Sequence, residues 1–145
     1  MKFLKFKKGF TLLELLVVIS IIGILIAVGV ASYSTAQKKS RDSRRKSDLK
    51  AIQNAMEQYY SVNQQYPPST TNCAALGNSL SSYLSGGMPS DPKGGTYAYV
   101  CNVGSNNTYY ISAQLEQGYG NASSNNCAGS CSGVDCNYFC VTNLQ

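Results

Sequence analysis

Six cysteines, a complete lack of histidine and one glutamate inside an apolar run are the features of this chain that invite a chemical reading. Cys127, Cys131, Cys136 and Cys140 stand with three, four and three residues between them, close enough for four thiolates to hold zinc. With Cys73 and Cys101 they also make an even set, which suits disulfides in an oxidising compartment. The zinc spacing is loose, and a small domain short of aliphatic side chains needs covalent ties, so disulfides are the expected use. Many connectivities are open to six cysteines; the expected one joins Cys73 to Cys101 and leaves the last four to fasten the tail. Without histidine, neither a Ser-His nor a Cys-His nucleophile pair exists, and the commonest general base near neutral pH is missing. Glu57, Asp91, Glu116 and Asp135 lie far apart and read as solvated or turn carboxylates. An enzyme is not expected, nor a cofactor, nor a metal.

Glu14 is different. It sits in Phe10–Ala31, an apolar run of 22 residues that as a helix reaches about 33 Å, sufficient to cross a bilayer. Apolar side chains fall on every face, with Thr11, Ser20, Gly23 and Gly29 as small interruptions that permit close helix contact. A removable secretion signal is the plain alternative, since Gly29-Val30-Ala31 fits a small-x-small cleavage site and would leave a chain beginning at Ser32. A carboxylate has no use in such a signal. Inside a retained span it needs a partner.

The run Lys8-Gly9-Phe10-Thr11-Leu12-Leu13-Glu14-Leu15-Leu16, behind a leader carrying Lys2, Lys5 and Lys7, resembles the class III signal sequence of type IV prepilins and type II secretion pseudopilins. The likeness covers residues 7–30. It implies cleavage between Gly9 and Phe10 by a membrane-embedded prepilin peptidase, which also methylates the new Phe10 amine. It implies a partner for Glu14 as well: that amine, on a neighbouring subunit or on the same chain. The charged leader is then lost and the apolar helix kept, to be packed against other copies or other pilins by a membrane assembly platform. The resemblance also implies a lollipop-shaped α+β fold. The major pseudopilins of this group carry a calcium site in their C-terminal loop; here Asp135 is the only carboxylate of that region, and the site is not carried over.

The helix is expected to continue through residues 32–63, which contain neither proline nor glycine. Leu49, Ile52, Met56, Tyr59 and Tyr60 recur at helical spacing and form a stripe for the head to cover. The basic run Lys38–Lys46 is read as a solvated helix face partly answered by Asp42 and Asp48, with acidic lipid headgroups and DNA as sharper alternatives. Seven basic residues in 38–50 against four in the leader favour a cytoplasmic C-terminus by the positive-inside rule. The cysteines and the family resemblance favour the opposite, a head outside the cytoplasm, and the leader lysines lie nearer the span.

Residues 64–145 change character, with glycine, serine, asparagine, tyrosine and cysteine in place of long aliphatics. Leu76, Leu80, Tyr83 and Leu84 fit a short helix ended by Gly86-Gly87. Residues 96–101 and 109–116 are rich in β-formers and suit a hairpin over the helix stripe, an α+β head. From Ala51 onward one lysine faces four carboxylates, so the head reads as mildly acidic. Asn106-Asn107-Thr108 and Asn121-Ala122-Ser123 match the glycosylation triplet, a pattern common by chance in such a chain. The expected division is a leader at 1–9, a membrane or filament-core segment at 10–31, an amphipathic helix at 32–63 and a disulfide-tied head at 64–145. Two functions follow from different classes. One is a structural subunit of a type IV pilus or pseudopilus, anchored in the cytoplasmic membrane until assembled; the other is a tethered or secreted binding domain, adhesin or DNA-binding, with no assembly role.

Overall fold

The computed structural model describes residues 9–105, 107–127 and 136–143. It falls into two compact units, Met1–Gln37 and Lys38–Gln145. One helix, α1 (Leu12–Asn63), belongs to both. In the first unit its apolar side chains, from Leu12 to Val30, stand exposed on every face. By length and composition this helix can cross a membrane. The hydroxyls of Ser20 and Ser32 each donate to a carbonyl one turn back, Leu16 and Val28, so neither is left unsatisfied in an apolar setting.

The second unit is built on the other part of α1. Leu49, Ile52, Ala55 and Met56 are buried along one face, with Tyr59 and Tyr60 partly buried beside them. The helix ends where Gln64 turns to a left-handed φ of 56° and its N–H donates to the Tyr60 carbonyl, a C-cap made without glycine. Asn72 then caps α2 (Cys73–Ser79) by accepting from the N–H groups of Ala74 and Ala75. This helix starts earlier and stops sooner than the leucine spacing suggests: Leu80 is already its C-cap, and Leu84 and Gly87 close turns rather than helix.

Three antiparallel strands follow in the order β1 (Val100–Val103), β2 (Tyr109–Gln114) and β3 (Tyr138–Thr142). Cys101 faces Ile111 across the first pair and Ile111 faces Val141 across the second, so the apolar positions of all three strands meet the α1 face in one core. The first expected strand is shifted, because residues 95–97 form a short 3₁₀ turn. The third strand was not expected from the sequence, although Tyr-Phe-Cys-Val-Thr is a strong β-former run. Its outer edge is covered by Asn121, whose side-chain amide donates to the Cys140 carbonyl and accepts from the Cys140 N–H. That amide is therefore committed to the fold, which tells against its use as a glycosylation site. A side chain at Gly120 is excluded: its Cβ would lie 1.8 Å from the Tyr138 carbonyl oxygen.

Candidate functional site

Two groups of charged residues stand out among the described residues. At the start of α1, Thr11 and Glu14 form a reciprocal capping box. The Thr11 N–H donates to Glu14 Oε2 at 2.9 Å, the Thr11 hydroxyl donates to the same oxygen at 3.0 Å, and the Glu14 N–H donates to Thr11 Oγ1 at 3.2 Å. Two of the orphan donors at the helix start are satisfied in this way. Glu14 Oε1 takes no bond among the described residues. Phe10, just before the cap, is 90% exposed, and Gly9 is exposed with open space around its Cα. The carboxylate is thus held at the helix start beside the Phe10–Thr11 backbone, which is where an amine would appear on cleavage after Gly9. Thr11 is a site residue that the apolar run around it conceals, although Thr-x-x-Glu is itself the sequence signature of a capping box.

The second group lies in the head. Arg45 is fully buried and touches three carboxylates: Asp42 through Nη1 at 2.6 Å, Asp91 through Nε at 2.5 Å and Glu116 through Nη1 at 3.0 Å. Arg41 grips Glu116 with both Nε and Nη2, at 2.7 and 2.8 Å. Asp42 also accepts from the backbone N–H groups of Glu116 and Gln117, and Asp91 from those of Lys93 and Gly94. The cluster therefore fastens the turn at 91–94 and the loop at 115–117 to α1. Two expectations are corrected here. The basic run is not only a solvated face, since Arg45 is buried and Arg41 half-buried. Nor are Asp91 and Glu116 lone surface carboxylates. Their partners lie 46 and 71 residues away, beyond any local pattern.

Arg41, followed by Arg45 and Lys93, pulls the Glu116 carboxyl down to about 2 against the opposing effect of its burial. Burial alone would raise Asp91, but the Arg45 hydrogen bonds and the N–H groups of Lys93 and Gly94 outweigh it and hold this carboxyl below its ordinary value. Both shifts are downward, so their stabilisation is complete above the unfolded carboxylate range near pH 4 and is lost as pH falls towards 2. Urea midpoints are expected to be flat above about pH 5 and to fall steeply below it. Glu116→Gln should lower the plateau and flatten that acid slope; an unchanged slope would remove the cluster as its cause.

Glu57 is paired too, accepting from the Tyr109 hydroxyl at 2.8 Å and the Tyr66 hydroxyl at 3.1 Å. Burial, aided by Glu57, pushes Tyr66 up to about 12, and burial raises Tyr109 further. Cys73 and Cys101 form a disulfide that ties the start of α2 to β1, and Cys127 and Cys140 form one that ties the tail to β3. Both of the latter are thereby removed as zinc ligands. Cys136 is also disulfide-bonded, while Cys131 and Asp135 lie outside the described residues, as does Asn106. Among the described residues no three His, Cys, Asp or Glu side chains are grouped to hold a metal.

Residues 4–30 match the profile of the prokaryotic N-terminal methylation motif, and residues 31–132 match that of the type IV minor pilin ComP, DNA uptake sequence receptor. The chain belongs to the type IV pilin and pseudopilin family. This pilin is 36% identical to type II secretion system core protein G of Aeromonas hydrophila over 63% of its own length and 71% of the relative's. With core protein G of Escherichia coli the identity is 32%, over 71% of the pilin and 77% of the relative. Type IV major pilin protein PilA of Myxococcus xanthus is 39% identical over 41% of the pilin but only 27% of the relative, a likeness confined to 59 residues. No solved structure matches the pilin. The long helix with a three-stranded antiparallel sheet is the α+β arrangement expected of this family. An apolar N-terminal helix in a family of filament subunits fits anchoring in the inner membrane before assembly.

Proposed function

We propose that the pilin is a structural subunit of a type IV pilus or pseudopilus, matured by loss of residues 1–9 and assembled through residues 10–31. The observation that carries this reading is the capping box at the head of a helix whose apolar faces are all uncovered. Thr11 occupies Glu14 Oε2 and aims the carboxylate at the helix start; Oε1 is left for the ammonium group of a neighbour's Phe10. A carboxylate in hydrocarbon costs up to ~3 kcal/mol near a span's centre and less near its end, so pairing it favours one stagger of packed helices. The named partners are a prepilin peptidase and methyltransferase, a membrane assembly platform and other pilins. The leader faces the cytoplasm and the head the opposite side, where its disulfides form. The role is structural, with the heads as the filament's outer surface.

Intact-mass analysis of the exported protein tests this. A chain beginning at methylated Phe10 is expected; one beginning at Ser32 overturns the proposal in favour of ordinary signal processing.

A second role is supported for the head. All five described head carboxylates, Asp42, Asp48, Glu57, Asp91 and Glu116, accept bonds from within the head. Lys39 and Arg44 stand exposed on the basic stretch of α1, Arg44 3.9 Å from Asp48, so this part of the head presents cations. Together with the DNA named in the ComP profile, this favours a nucleic-acid-facing surface.

A further inference from the structure

We infer that a groove on the head is a seat for one unpaired nucleotide, which makes the pilin a sequence-tolerant binder of single-stranded nucleic acid. The groove, about 440 Å³, runs between α1 and the loop after β2 and is lined by Lys39, Asp42, Ser43, Lys46, Gln117, Gly118 and Tyr119. Lys39, Ser43 and Lys46 follow at four- and three-residue steps and so share one helix face. Lys46 Nζ donates to the Tyr119 carbonyl at 2.9 Å and lies over the Phe139 ring, so its charge faces no carboxylate while it holds the loop in place. Lys39 is exposed. The Asp42 carboxylate, the one acid in the groove, is turned inward to Arg45 and the N–H groups of Glu116 and Gln117.

Tyr119 decides the ligand. Tyr119 is 62% exposed, with a left-handed φ of 61° next to Gly118 at 73°, whereas the head's other described large apolar residues, Val62 apart, are buried or half-buried. A cationic groove with an open aromatic wall is the combination that binds a strand by its phosphates and stacks a base, with no edge to read its sequence. A duplex keeps its bases in the stack and offers only backbone to such a seat. A lipid headgroup has no ring to stack. Another head is a poor occupant, since its described carboxylates are already engaged.

This inference rests on the head being a nucleic-acid surface but is independent of filament assembly. Its test uses the full mature chain in neutral detergent and labelled oligothymidine of about fifteen nucleotides at about 0.15 M salt. A duplex of equal length and phosphatidylglycerol vesicles serve as comparisons. The single strand is expected to bind at least about fivefold tighter than the duplex. Tyr119→Phe should stay within about twofold, and Tyr119→Asn, which tolerates the left-handed backbone, should lose about tenfold at an unchanged melting temperature. Lys39→Ala should weaken both nucleic acids and reduce the salt dependence. Equal or tighter duplex binding, indifferent to Tyr119→Asn, overturns the seat and leaves the broader nucleic-acid reading in place. Binding to vesicles alone, or to none of the probes, overturns both.

Discussion

Glu14→Val is expected to leave leader cleavage and membrane insertion intact and to cut the pilin recovered in sheared filaments to less than a tenth. Valine costs the membrane-bound chain little, because it removes a carboxylate that hydrocarbon disfavours. Some helix-start stability is lost with the capping box, about 1 kcal/mol, too little to unseat a span of this length. The larger loss is in the polymer. There a Phe10 ammonium would be packed among apolar helices with no counter-charge, and an abandoned partner of a buried pair costs about 3–5 kcal/mol. Glu14→Gln separates the two roles. Glutamine fills the same place in a capping box but carries no charge, so it should keep the helix start and still fail in assembly. Immunoblots of membrane and sheared fractions read both variants. Filaments of Glu14→Gln at normal abundance would show that capping, rather than an ion pair, is what Glu14 supplies.

Arg45→Met should lower the melting temperature of the head by roughly 10–20 °C, from a loss of about 3–5 kcal/mol. Methionine nearly fills the volume, so a cavity is not the cause. The cost comes from Asp42, Asp91 and Glu116, which stay buried after losing a shared cation. Arg45→Lys should fall between, because an ammonium restores the charge without the fork that reaches three acceptors. Arg44 is the internal control. It is one position away on the same helix but 67% exposed, 3.9 Å from Asp48, and Arg44→Met should shift stability by less than about 0.5 kcal/mol. Tyrosine circular dichroism of the full chain in detergent gives these melting curves. Similar curves for Arg44→Met and Arg45→Met would contradict the clamp described here.

What could be read from the sequence was what depends on near neighbours. The 3.6-residue recurrence of Leu49, Ile52 and Met56 marked the buried face of α1, and Ile111 and Ala113 marked the core face of β2, although Ser112 between them is buried as well. The third strand was hidden by composition: a glycine- and asparagine-rich stretch around the last cysteines concealed the five residues of β3. The ion cluster was hidden by distance. Arg45 meets Asp91 and Glu116 only once the turn after Pro89 and the end of β2 have folded back onto α1, so no spacing announced it. The same folding turns Asp42, Asp91 and Glu116 inward, while Lys39 on the basic stretch of α1 stays exposed. At the N-terminus the sequence pairs Glu14 with a Phe10 amine, and the structure adds a nearer partner, Thr11, three residues before it.

The most direct test of the whole account is a reconstruction of the assembled filament at side-chain resolution. Residues 10–31 should form its core, with the chain starting at Phe10 and the Glu14 carboxylate within about 4 Å of a neighbouring subunit's Phe10 amine. A filament whose core is made by the heads, or one in which residues 10–31 are missing, would contradict it.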